Sequence, residues 1–196
     1  MSQPAADVRE SGAASAGSAP GIVNVANGLT LARLLMVPFL VCFLVAGTSA
    51  DRWIAFLVFV LASLTDLADG KLARRRGLVT DFGKMADPIA DKALTGAALI
   101  SLSCLGELTW WVTIVILARE LAVTGLRFWV IRRGVIAATR GGKLKTVLQI
   151  VAISLYILPG PLGAARVAFM AAAVAATLVT GVDYLMRAVR LRRAVP

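Results

Sequence analysis

Apolar residues in this chain come in long, nearly unbroken runs. They fill 29–45, 53–72, 84–105, 110–131, 144–158 and 165–186. Most approach the roughly 20 residues that an α-helix needs to cross a hydrocarbon layer. Polar punctuation separates them: Gly47 to Arg52, a basic run ending in Gly77, a short loop with Glu107, a second basic loop, and Pro159-Gly160-Pro161-Leu162-Gly163. Pro88 falls near the start of the third run, where a missing N–H does little harm. Trp53, Trp110 and Trp111 stand at run ends, as aromatic residues do at membrane interfaces. The pattern predicts an all-α integral membrane protein with six transmembrane helices.

Residues 1–20 are rich in Ala, Ser, Gly and Pro and hold no apolar run. They read as a disordered cytosolic tail rather than a cleavable signal peptide. The helical domain is expected over 21–189, with a basic cytosolic tail at 190–196.

Composition agrees with the runs. Of 196 residues 59% are hydrophobic, and mean hydropathy is +0.82. Only 16% are charged, yet net charge is +10, so the basic excess is concentrated. Nearly all the basic loop residues lie at Lys71 and Arg74 to Arg76, at Arg132 to Lys145, and at the C-terminus, with Arg52 and Arg166 as exceptions. An even number of spans puts these segments on one side, and the positive-inside rule makes that side the cytosol, with both termini there. Nucleic acid is not the partner this charge implies, since no soluble basic domain exists to bind it; membrane lipids are. Cys42 and Cys104 sit in apolar runs without metal-site spacing. Histidine is absent, so proton transfer near neutral pH falls to a carboxylate, a lysine or water.

Against this background four carboxylates stand out. Asp66 and Asp69 are three apart, and Asp87 and Asp91 four apart, so on helices each pair shares a face. Acids beside hydrocarbon are costly and mark function. Two facing pairs would repel unless cations held them, and oxygen donors favour Mg²⁺ or Mn²⁺.

The full pattern is Asp66-x-x-Asp69-Gly70-x-x-Ala73-Arg74, eight residues, then Gly83-x-x-x-Asp87-x-x-x-Asp91. It resembles, at every position, the signature of the CDP-alcohol phosphatidyltransferase family. That resemblance implies the family's fold and its reaction: transfer of a phosphatidyl group from CDP-diacylglycerol to an alcohol, with release of CMP. It makes Asp66, Asp69, Asp87 and Asp91 metal ligands and Asp91 also the general base. Gly70 and Ala73 then line the cytidine pocket with Gly83 opposite, although small residues also serve tight helix packing. Arg74 has the donor fork for a diphosphate, and Thr80 is a further nucleotide candidate. Asn27 and Thr30 lie in Asn24-x-Ala26-Asn27-x-Leu29-Thr30-x-x-Arg33, which resembles a family motif except that Ala26 replaces a proline; Asn27 as a helix cap is the plainer reading. A homodimer in a bacterial plasma membrane, with the active site facing the cytosol, is likewise implied by resemblance.

The acceptor is read from the second half. Arg119, in Ala118-Arg119-Glu120, falls well inside the fourth run, with Arg127 two turns on. It must face a polar cavity or a partner, either at the acceptor site or in a structural ion pair involving Lys92. Lys143 and Lys145, in Gly141-Gly142-Lys143-Leu144-Lys145-Thr146 with Gln149 a turn beyond, point to different sides of one helix. They serve one phosphate only if a helix starts about there, where its N-terminus also favours an anion. These motifs resemble those of bacterial family members that use glycerol 3-phosphate. Inositol phosphate, serine or phosphatidylglycerol are the other acceptors within the family. A cation transporter is the rival outside it, but permeation has no need of Gly70, Ala73, Arg74 and Gly83.

Overall fold

The computed structural model describes the backbone of residues 25–76, 81–130 and 140–193, and their side chains except at 25–27, 66–76, 81–88, 91, 127–130, 140, 141, 188 and 190–193. Six helices account for nearly all of it: α1 (Val25–Ala46), α2 (Ser49–Arg76), α3 (Asp81–Cys104), α4 (Trp110–Val130), α5 (Arg140–Ile157) and α6 (Gly163–Arg193). Each of the six apolar runs coincides with a helix over its described residues, apart from Leu105 and Leu158 at the run ends. Among the described residues two stretches, Gly28–Ala46 and Gly163–Arg187, are long and apolar enough by length and composition to cross a membrane.

Several helices outrun their apolar runs, each for a local reason. α2 starts at Ser49 because Thr48 and Asp51 form a reciprocal cap. The Asp51 N–H donates to Thr48 Oγ1 at 3.2 Å, and the Thr48 N–H to Asp51 Oδ2 at 3.3 Å. α6 continues past Met186 to Arg193. There Arg187 pairs with Asp183 one turn back (3.1 Å), and a basic last turn suits the negative end of the helix dipole. Pro38 lies inside α1 without ending it.

Helix packing closes a ring. α1 contacts α2 and α3, α2 contacts α5, α5 contacts α6, α6 contacts α4, and α4 returns to α3. Phe59, Leu99, Ile116 and Ile153, one from each of α2 to α5, are fully buried inside it. Leu35 and Phe39 of α1, Leu57 of α2 and Val179 of α6 face outward. An apolar exterior of this kind fits hydrocarbon better than water. A buried hydroxyl pair, Ser103 Oγ to Thr113 Oγ1 at 2.7 Å, stitches α3 to α4.

At one end of the ring the loops α1–α2, α3–α4 and α5–α6 meet. Arg52 pairs with Glu107 and donates to the Tyr156 carbonyl at 3.4 Å. Arg166 donates to the carbonyls of Leu155 (2.9 Å) and Leu158, which the last turn of α5 leaves without helical partners. Burial, and then the neighbouring Arg166 charge, lower the Arg52 pKa. The two arginines that depart from the basic-loop pattern thus tie loops together.

Candidate functional site

The acids stand at the opposite end of α2 and α3 from that loop cluster. α2 is helical through Asp66, Asp69, Gly70, Ala73 and Arg74, and α3 through Gly83, Asp87 and Asp91. The helical spacing that each carboxylate pair requires is therefore present. Their side chains, with those of Asn27 and Arg127, and Thr80 entirely, lie outside the described residues. Among the described residues no three metal-ligating side chains cluster. Four carboxylates are a donor set suited to hard divalent cations.

Thr30 and Arg33 of α1 are buried, at 6% and 2% exposure. They are three residues apart, so they share a face of the helix that packs on both α2 and α3. A buried arginine on an otherwise apolar helix marks this end of the ring as polar inside.

A cavity opens within the ring, lined by Ser63 of α2, Lys92 and Thr95 of α3, Glu120 of α4, and Lys145, Thr146 and Gln149 of α5, with apolar walls from Leu117, Ile150 and Ile153. Ser63 lies three residues from Asp66 along α2, and Thr95 four from Asp91 along α3. Each is about one turn from an acid of the signature, a rise of roughly 4.5–6 Å. The cavity is therefore adjacent, along both helices, to the acid-bearing segments.

Its electrostatics centre on Glu120. Lys145, 5% exposed, donates to Glu120 Oε1, and Arg119 Nη1 donates to the same oxygen at 3.2 Å. Arg119 Nη2 reaches across to Thr180 Oγ1 on α6 at 2.9 Å. That hydroxyl donates in turn to the Ala176 carbonyl (2.7 Å), leaving its lone pairs for the guanidinium. Gly181 lets the two helices close: a Cβ there would stand 3.2 Å from Arg119 Cγ. Among the described side chains, Lys92, Lys145 and the adjoining Arg119 set three positive charges against one carboxylate, an excess suited to a phosphate.

The two lysines part company. α5 begins at Arg140, so Gly141 and Gly142 lie within the helix rather than breaking it before Lys143. Lys143 is exposed, whereas Lys145 lines the cavity. Glu120 pairs with Lys145 and Arg119 rather than with Lys92.

Residues 23–179 match the family profile described as CDP-alcohol phosphatidyltransferase. The chain belongs to that family. A probable phosphatidylglycerophosphate synthase of Mycobacterium tuberculosis is 58% identical over 174 residues, 86% of this chain and 83% of the relative. A CDP-diacylglycerol–glycerol-3-phosphate 3-phosphatidyltransferase of Bacillus subtilis is 42% identical over 148 residues, covering 69% of this chain and 77% of its own length. The protein of that name from Rickettsia prowazekii is 43% identical over 136 residues, 69% and 75% of the two chains.

For this member of the CDP-alcohol phosphatidyltransferase family, two contributors to the site escape motif reading. Thr180 and Gly181 stand on the sixth helix, whose sequence carries no signature of its own. A glycine and a threonine side by side in an apolar helix are the only local signal, and their partner Arg119 is far away in the chain.

Proposed function

We propose that the protein transfers the phosphatidyl group of CDP-diacylglycerol to sn-glycerol 3-phosphate, giving phosphatidylglycerol phosphate and CMP. The observation that carries this reading is the cation-rich cavity about one helical turn from Asp66 and Asp91. A phosphorylated acceptor needs positive charge of its own, separate from whatever neutralises the donor diphosphate, and Lys145, Lys92 and Arg119 supply it. Serine, with no phosphate, has no use for that excess. The names of relatives at 42–58% identity point the same way.

In the mechanism we infer, the acceptor hydroxyl oxygen attacks the phosphatidyl phosphorus in line. The phosphorus–oxygen bond to CMP breaks, and CMP leaves. Asp66, Asp69, Asp87 and Asp91 would hold two Mg²⁺ or Mn²⁺ ions, which when bound neutralise diphosphate charge and acidify a nearby hydroxyl. Asp91 accepts the hydroxyl proton and passes it to solvent. Arg74 grips diphosphate oxygens with its donor fork. Gly70 and Ala73, with Gly83, leave room for cytidine beside the helix backbone, and Asn27, Thr30 and Thr80 add polar contacts on the donor side. Lys145 and Arg119 hold the acceptor phosphate, with Arg127 and Lys143 nearer the cytosolic mouth.

The reading also includes six membrane spans, both termini and the active site on the cytosolic side of a bacterial plasma membrane, and a homodimer. The apolar exterior of the ring and the basic 71–76 and 132–145 segments support the orientation.

CMP release by purified protein tests the reaction. Release should require CDP-diacylglycerol, glycerol 3-phosphate and Mg²⁺ or Mn²⁺ together. Asp66→Asn, Asp69→Asn and Asp87→Asn should each nearly abolish it. Full activity in excess EDTA would contradict the metal assignment.

A further inference from the structure

Gln149 is a buried amide, 5% exposed, whose Nε2 has no hydrogen-bond partner among the described residues. It lines the central cavity beside Ile150 and Ile153. An amide nitrogen carries two donors, and stranding them beside apolar walls costs free energy that leucine or methionine in the same space would not incur. Its neighbours are engaged elsewhere. Glu120 takes Lys145 and Arg119, and the Thr146 hydroxyl donates to the Gly142 carbonyl at 3.1 Å. An unpaired polar group held at a cavity wall is a group awaiting a ligand.

Position says which part of the ligand. Gln149 is four residues beyond Lys145 on α5, so both project to one face, with an axial step of about 6 Å. Lys145 and Glu120 form the charged level of the cavity, and Gln149 lies one turn further from the helix start, toward Ile153. With the phosphate at the charged level and the reacting primary hydroxyl turned back toward Asp91 at the acid-bearing end, the middle hydroxyl is the group left to face the amide, whose side chain leans toward the helix start.

We propose that Gln149 is a specificity-determining residue, its side-chain amide hydrogen-bonding the middle hydroxyl of the acceptor. This rests on the proposed reaction. It explains how a site whose cations accept any small phosphate ester selects a polyol: an acceptor without that hydroxyl leaves the buried amide unpaired and is rejected.

The test compares glycerol 3-phosphate with 3-hydroxypropyl phosphate, which keeps the phosphate and the reacting primary hydroxyl but lacks the middle one. Full-length protein is assayed in mixed micelles with CDP-diacylglycerol and Mg²⁺. The parent should favour glycerol 3-phosphate by roughly 100-fold or more in kcat/KM. In Gln149→Met and Gln149→Leu the ratio should fall below about tenfold, through loss with glycerol 3-phosphate rather than gain with the analogue, and with KM for the donor unchanged. Both acceptors are measured on one preparation, so a smaller folded fraction cancels from the ratio. An unchanged ratio in both variants, or a ratio near one in the parent, overturns the assignment of Gln149 while leaving the reaction intact. No CMP release from the parent with glycerol 3-phosphate overturns the reaction itself and this assignment with it.

Discussion

Glu120 accepts hydrogen bonds from two cations at once, and the residue-scale consequences follow from that. Lys145 is buried and charge-assisted, so losing its contact to a bound phosphate should cost about 1.5–3 kcal/mol. Lys145→Ala is accordingly expected to lower kcat/KM for glycerol 3-phosphate by about 10- to 100-fold. Lys143 is exposed and screened by solvent, and Lys143→Ala should change it less than about threefold. Steady-state kinetics on the two variants checks the difference, and equal losses would contradict the division between them. The motif Gly142-x-x-x-Thr146 showed that two lysines stand two residues apart, which on one helix separates their faces. Which of the two turns inward was not legible, because that depends on where α2, α3 and α4 lie around α5. Gln149 had the same history: a glutamine near a basic motif became a cavity wall only when Ile153 and Glu120 were placed beside it.

Among the elements, α6 carries the least sequence signal for its part in the site. Its thirty-one residues read as one more apolar span, yet Thr180 braces Arg119 and Gly181 admits it. Apolar runs and punctuation predicted six helices and their order, because helix formation in such runs is a local matter. Contacts such as Arg119 to Thr180 are set by tertiary packing across the chain, and no periodicity encodes them. Helix limits were partly legible: the Thr48-x-x-Asp51 cap that starts α2 early is a readable signal. Gly181→Val should push the Arg119 side chain aside, since even a Cβ would already stand 3.2 Å from it. The expected result is a loss of about tenfold or more in kcat/KM for glycerol 3-phosphate with donor KM unchanged, as for any displaced charge-assisted contact. Gly181→Ala, where only a flexible side chain must give, should be much milder. A Gly181→Val enzyme with parental kinetics would show that the α4–α6 contact does not position the acceptor.

For the whole molecule, the ring α1–α2–α5–α6–α4–α3 encloses a polar cavity within an apolar exterior, with the acid-bearing segments of α2 and α3 at one end and the Arg52–Glu107–Arg166 loop cluster at the other. The concentration of basic residues beside the acids predicts that this end faces the cytosol. Single cysteines near Arg76 or Arg140, in a Cys42→Ala, Cys104→Ala background, should label only from the cytosolic side, and ones near Ala50 or Gly163 only from outside. Labelling at Arg76 and Ala50 from the same side would contradict the orientation. The enclosed site is defined most directly by the lipid it makes. Purified protein in vesicles should be given CDP-diacylglycerol, Mg²⁺ and equal concentrations of glycerol 3-phosphate, glycerol, inositol phosphate and serine, and the lipid products weighed by mass spectrometry against CMP. The prediction is phosphatidylglycerol phosphate as the dominant product, formed one for one with CMP. A different phosphatidyl alcohol as the main product, or CMP released without a matching lipid, would contradict it.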